Sequence, residues 1–307
     1  MRIRSLIVIL AALVACQKNE PAPSTQSQPP APQPKAAAAP TQITQGLQTP
    51  ESVYYDADQD VYFISNINGQ PLAADNNGYI SRITPDTLQG EMKWIEGGKP
   101  GVTLNAPKGM AVVGDTLYVT DITSVRKFNR KTGAPEGEIP IPGSTFLNDA
   151  ASDGKSVYVS DSGLKAGASG NFEPTGTDAI WQITGDKPKK IAGGKDLKAP
   201  NGVEVEGSNI WAVTFGANEL YRLDKGKKAD VTTLPKGSLD GLVHMSDGSF
   251  LVSSWDGKAV YRGQAKGTFT AVLENVNAPA DIGYDTKRHL LLVPHFMDSI
   301  VSVHNVQ

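Results

Sequence analysis

The 307-residue sequence has a single cysteine, Cys16, so no internal disulfide can staple it. It has no excess of positive charge either: 29 Lys and Arg stand against 32 Asp and Glu, a formal charge of −3. A nucleic-acid partner calls for a basic face, and that balance excludes one as the expected partner. Long hydrophobic runs are missing too. The longest, Ser5 to Ala15, is too short to cross a membrane. Outside it no apolar stripe repeats with the 3.6-residue period of a helix, which excludes a helical bundle. What the chain has in quantity is turn chemistry: 31 Gly and 21 Pro, with 39% hydrophobic residues. That mixture fits an all-β protein of many short strands.

The N-terminus reads as an address. Met1-Arg-Ile-Arg4 is a short cationic segment, and the apolar run after it suits a secretory signal. It ends Leu13-Val14-Ala15-Cys16, which resembles the bacterial lipoprotein signal, cut before a cysteine that is then lipidated. Residues 1–15 are therefore expected to be removed and Cys16 to carry lipid, which leaves a formal charge of −5. The other reading is a plain signal peptide with an incidental cysteine. Gln17, not Asp, follows Cys16, and by resemblance to lipoprotein sorting this favours the outer membrane, facing the periplasm. More than one acyl chain at one cysteine gives stable anchoring. Residues 16–42 are rich in Pro, Ala, Gln and Ser and carry almost nothing large and apolar, so they are expected to be a disordered tether. At about 3.1 Å per residue it could reach on the order of 80 Å.

Residues 43–307 repeat. Six openers recur: Pro50-Glu51-Ser52, Pro107-Lys108-Gly109, Leu147-Asn148-Asp149, Pro200-Asn201-Gly202, Leu239-Asp240-Gly241 and Pro279-Ala280-Asp281. Their middle residues are 57, 40, 53, 39 and 40 residues apart, a spacing typical of propeller blades. Each opener leads into a short run, a turn, a hydrophobic strand such as Leu117-Tyr-Val119, and a third strand such as Glu219-Leu-Tyr-Arg-Leu223. The sixth unit ends after its third strand, and residues 41–47 can supply the fourth from the other end of the chain. The expected fold is an all-β, six-bladed β-propeller closed by an N-terminal strand, occurring as a monomer.

In a propeller, equivalent opener positions converge on the central channel. Here they read Glu51, Lys108, Asn148, Asn201, Asp240 and Ala280. Glu51, Asn148, Asn201 and Asp240 offer two carboxylates and two amide carbonyls, a donor set for one hard divalent cation. Ca²⁺ suits such an irregular set best; Mg²⁺, Mn²⁺ and Zn²⁺ are compatible. The alternative is that Asn-Gly and Asp-Gly merely make tight turns. Glu51 has little turn preference and shares the register, which favours the cation.

Glu51 within Pro-Glu-Ser, Asn148-Asp149, Asn201-Gly202 followed by Ile210-Trp211 and Leu220-Tyr-Arg-Leu-Asp224, and Asp240-Gly241 with Asp247-Gly248 resemble the gluconolactonase/regucalcin (senescence marker protein) family. The resemblance covers about residues 49–303. It implies that Glu51, Asn148, Asn201 and Asp240 bind one divalent metal. It also implies that Asp240 is the general base of lactone hydrolysis, taking a proton from the attacking water while the cation polarises the carbonyl. Where sugar lactonases of the family commonly place an Arg, two residues before the first Asn, this chain has Phe146. The substrate is accordingly expected to be a less polar lactone or ester. A nucleophile elbow and a His-Glu-x-x-His motif are both missing.

The second strands end in Asn66, Asp121, Asp161, Phe215, Trp255 and His295, expected to circle the channel mouth. Asp121, Phe146, Phe215, Trp255 and His295 are the candidate substrate-binding residues; for the aromatics, packing between blades is the competing role. The added loops, about residues 67–78 and 163–178, are expected to leave from the same face as lids. Two functional readings stand: a metal-dependent lactonase-like hydrolase on a lipid anchor, or a non-catalytic envelope propeller whose metal is structural.

Overall fold

The computed structural model describes residues 41–168 and 171–306. The expected signal peptide, Cys16 and the expected tether up to residue 40 lie outside the described residues. From residue 41 onward the chain forms a six-bladed β-propeller. Each blade is a four-stranded antiparallel sheet, and in blades 1 to 5 the strands lie side by side in chain order. Blade 1, for example, comprises Pro50–Asp56, Val61–Asn66, Tyr79–Thr84 and Gln89–Glu96. The innermost strands of the next four blades are Pro107–Val113, Leu147–Ser152, Pro200–Glu206 and Leu239–His244. Blade 6 takes Gly283–Asp285, Leu290–His295 and Ile300–Asn305 from the C-terminus, and its outer strand is Gln42–Ile43, paired antiparallel to Ile300–Asn305. The expected closure is therefore present, and the strand begins at Gln42, the last residue assigned to the tether.

There is no single core. Apolar residues of the strands gather in six clusters, one between each pair of neighbouring blades. Between blades 4 and 5, for instance, Trp211, Val213 and Leu220 meet Leu242, Phe250 and Val252. Strands buried on both faces of a twisted sheet need apolar side chains on both, which explains runs such as Leu290-Leu-Leu-Val293.

The openers are not turns. In blades 1 to 5 each lies in the innermost strand, and the ladder skips two residues there, between Pro50 and Val53, Pro107 and Met110, Leu147 and Ala150, Pro200 and Val203, and Leu239 and Leu242; in blade 6 Pro279 and Asp281 precede the strand and make isolated bridges to His295 and Ser52. Such bulges turn two side chains out of the regular alternation, toward the axis. Second-strand hydroxyls hold the backbone in place: Ser65, Ser160 and Ser253 Oγ accept the N–H of Ser52, Asp149 and Gly241 at 2.9, 2.9 and 2.7 Å.

The glycines of the bulges have a different job from the one turn chemistry assigns them. None of Gly109, Gly202 and Gly241 has a positive φ. Neighbouring innermost strands approach so closely that a Cβ at Gly202 would lie 2.3 Å from the Asp240 carbonyl oxygen, and one at Gly241 2.2 Å from the Ile282 nitrogen. Glycine here lets the blades close around the axis.

Candidate functional site

The first residue of each bulge, with Ala280 at the matching place in blade 6, forms an axial ring. All six are buried: Glu51 5%, Lys108 1%, Asn148 6%, Asn201 2%, Asp240 4% and Ala280 0% exposed. Glu51, Lys108, Asn148, Asn201 and Asp240 all line one cavity of about 180 Å³. Their hydrogen bonding is incomplete in a regular way. Each of the four expected donors keeps one buried oxygen with no partner: Glu51 Oε2, Asn148 Oδ1, Asn201 Oδ1 and Asp240 Oδ1. Two of the remaining polar atoms are placed by neighbours. Asn148 Nδ2 donates to Ser162 Oγ at 3.1 Å, and the Trp255 indole N–H donates to Asp240 Oδ2 at 2.7 Å. An orphaned buried oxygen is costly, and four in one ring is a donor set that fits a hard cation. Among the described residues no group of three or more His, Cys, Asp or Glu is placed to hold a metal. This ring draws half its donors from amides.

The electrostatics point the same way. Burial pushes the Asp240 carboxyl up to about 8, helped by Asp281 and opposed by the bonds from Trp255 and Asn201. Burial, then Asp240 and Asp281, hold Glu51 well above the ordinary carboxyl range, while Lys108 pulls it down. One step further along the innermost strands lies a second polar level. Ser52 Oγ donates to Asp281 Oδ2 at 2.5 Å, and the Asp149 Oδ2 accepts the Val203 N–H at 2.7 Å. Burial raises Asp281 to about 7 and lifts Asp149 as well, with Asp281 adding to the Asp149 shift. Lys108 is the cation among these carboxylates, and burial lowers its own affinity for a proton.

The wall of the cavity is apolar and aromatic. Phe215 and Trp255 line it as expected, with ring centroids 5.8 Å apart, and Phe296 packs on Trp255 at 5.1 Å. Phe146 also lines it and meets Phe172 edge-on at 5.3 Å. Asp121 and His295 do not line it. Pairing sets Asp121 opposite Pro107 and His295 opposite Pro279, whereas Phe215 and Trp255 lie one residue beyond the positions opposite Pro200 and Leu239. A one-residue step along a strand turns the side chain to the other face. Asp121 consequently accepts the Ala106 N–H at 2.8 Å and the Arg126 Nε–H at 2.8 Å, and the His295 Nε2 lies 2.7 Å from Ser302 Oγ. At the shifted register of blades 1 and 6, Ile67 and Phe296 line the wall.

The described residues of the expected lids contribute to the cavity wall. In the blade 3 insertion, Leu164–Ala166 pairs with Phe172–Pro174 as a hairpin, and Leu164 and Phe172 line the cavity. The blade 1 insertion contributes Ile67, Gln70 and Pro71. His295 Nδ1 is 3.7 Å from Asp298, so Ser302, His295 and Asp298 stand in the order of a nucleophile triad. Ser302 is 1% exposed and lines neither cavity of the channel, and His304 also bonds its hydroxyl at 2.7 Å. That cluster ties strands together. The second channel cavity, about 400 Å³, lies further along the innermost strands, lined by Tyr54, Asp149, Glu204, His244 and Asp281 among others.

Fold and ring together define the class: a six-bladed propeller with an axial set of oxygen donors beneath an aromatic cavity. No protein-family model matches the chain, and no curated protein matches it in sequence. Solved structures match its fold. A gluconolactonase from Xanthomonas campestris is 14% identical with a TM-score of 0.62, covering 84% of this chain and 86% of that one. A luciferin-regenerating enzyme is 11% identical with a TM-score of 0.62, covering 86% and 93%. A chain of a nidogen/laminin complex is 16% identical with a TM-score of 0.55, covering 71% and 76%. At such identities the likeness establishes the fold.

Proposed function

We propose that the protein is a divalent-metal-dependent hydrolase that opens a lactone or a related ester in the axial cavity. The observation that carries this reading is the quartet of orphaned oxygens on Glu51, Asn148, Asn201 and Asp240. A cation held there, with Ca²⁺ favoured, supplies Lewis acidity toward a carbonyl oxygen. The chain's own residues do the rest. Asp240 is the base that takes a proton from the attacking water. The Trp255 indole N–H holds one Asp240 oxygen and leaves the other for the ring. Phe146, Phe172, Phe215 and Phe296 exclude water and favour an apolar substrate body over a polyhydroxylated one.

Assay of a panel of lactones and aryl esters with Ca²⁺, Mn²⁺, Mg²⁺ or Zn²⁺, against EDTA, tests this. Hydrolysis should require a cation and fall at least about 100-fold in a folded Asp240→Ala variant. If nothing in the panel is hydrolysed with any metal, the alternative holds: a non-catalytic envelope propeller that binds a ligand or protein, with the metal as a structural plug. In either role we place the protein in a bacterial envelope, lipid-anchored at Cys16 to the outer membrane on its periplasmic side.

A further inference from the structure

Lys108 is the one polar ring member that the cation chemistry does not use. It is 1% exposed, yet among the described residues its ammonium makes a single hydrogen bond, to the Ala106 carbonyl at 3.0 Å, and no ion pair. Its Nζ sits 4.8 Å above the centre of the Phe146 ring, on the cavity wall. An ammonium has three N–H donors, and burying it with only one of them hydrogen-bonded is costly. Its position in blade 2 matches that of Glu51 in blade 1 and Asp240 in blade 5, so it shares their floor. With a divalent cation bound and both carboxylates ionised, the two carboxylates, the ammonium and the cation leave that floor net positive by one. Above it stand Phe215, Trp255 and Phe296.

We propose that Lys108 is a specificity-determining residue that makes the cavity select an amphipathic monocarboxylate, whose anionic head accepts from Nζ while an aryl or alkyl body lies against Phe215, Trp255 and Phe296. This rests on the cation reading of the ring and goes beyond it by fixing the charge and shape of the ligand. Both the ring-opened hydroxy acid of an apolar lactone and a lactone bearing a free carboxylate belong to this class.

Calorimetric titration of the full chain in excess Ca²⁺ with phenylacetate and with phenylacetamide, matched in shape and differing in charge, tests it. Wild type should bind the carboxylate at least about tenfold more tightly, the size of one buried charge-assisted hydrogen bond. Lys108→Met should bring the ratio close to one with the amide affinity kept, and Lys108→Arg should retain the preference. Equal binding of the two by wild type, an unchanged ratio in a folded Lys108→Met, or no binding of either compound overturns the proposal. The wild-type ratio needs no variant to fold. Calcium binding measured in the same cell separates the two readings: calcium bound without carboxylate preference removes the role of Lys108, and preference without bound calcium counts against the cation alone.

Discussion

At the scale of the residue, the channel is a crowd of carboxyl groups in a poorly solvated space. Burial holds Glu204 up to about 7, with Asp281 contributing, against an ordinary 4.5. Asp281 and Asp240 are raised to about 7 and about 8 from 3.8. In the unfolded chain these groups lose their protons near pH 4; in the folded chain they keep them to about pH 7 or above. Between those limits the folded state binds more protons, so stability is greatest below the unfolded values and is lost as pH rises through the folded ones. In EDTA the thermal midpoint should therefore fall by at least about 5 °C between about pH 5 and pH 8. Saturating Ca²⁺ at the alkaline end should restore it, and Glu204→Gln should flatten part of the slope. A midpoint independent of pH in EDTA would show that the channel carboxyls titrate normally. The four oxygen-bearing ring residues were legible from the sequence because a six-fold repeat reveals register. Asp121 and His295, which the sequence puts at the rim, fall one residue short of the register that faces the cavity, and one residue reverses the face.

At the scale of the element, the informative feature is the bulge at the start of each innermost strand. Sequence alone reads Asn201-Gly202 and Asp240-Gly241 as turn pairs, because those dipeptides are common in turns. In the fold they are strand residues, and their glycines are dictated by the neighbouring blade. Gly241→Ala should destabilise the protein by about 1–3 kcal/mol, read as a lower urea midpoint, since its methyl would meet the Ile282 backbone. Alanine at Gly207, where no heavy atom lies within 4 Å of the added Cβ, meets only the strain of a positive φ of 59° and should cost less. Equal effects at the two sites would refute the close-approach argument. The blade 3 insertion, expected as a lid loop, instead pairs Leu164–Ala166 with Phe172–Pro174 and sets Leu164 and Phe172 on the cavity.

At the scale of the whole molecule, closure is the issue. Ile43 and Leu47 are 3% and 2% exposed and pack in the cluster between blades 6 and 1. Removing residues 41–47 would bare the edge of Ile300–Asn305 and open the ring. Such a truncation should unfold at least about 5 °C earlier and self-associate on size-exclusion chromatography; an unchanged, monomeric protein would contradict closure by the N-terminal strand. In cells, Cys16→Ser should move the protein from the membrane to the soluble fraction, and an unaltered distribution would exclude the lipid anchor. The number of blades, the closing strand and the residues of the axial ring could all be read along the chain, because they follow from a period and from chemistry written at fixed offsets. Which side chains face the cavity, why the glycines are there, and that Lys108 stands over Phe146 emerged only once the strands were packed. Those features depend on ångström-scale approach between strands far apart in the chain, which no local pattern encodes.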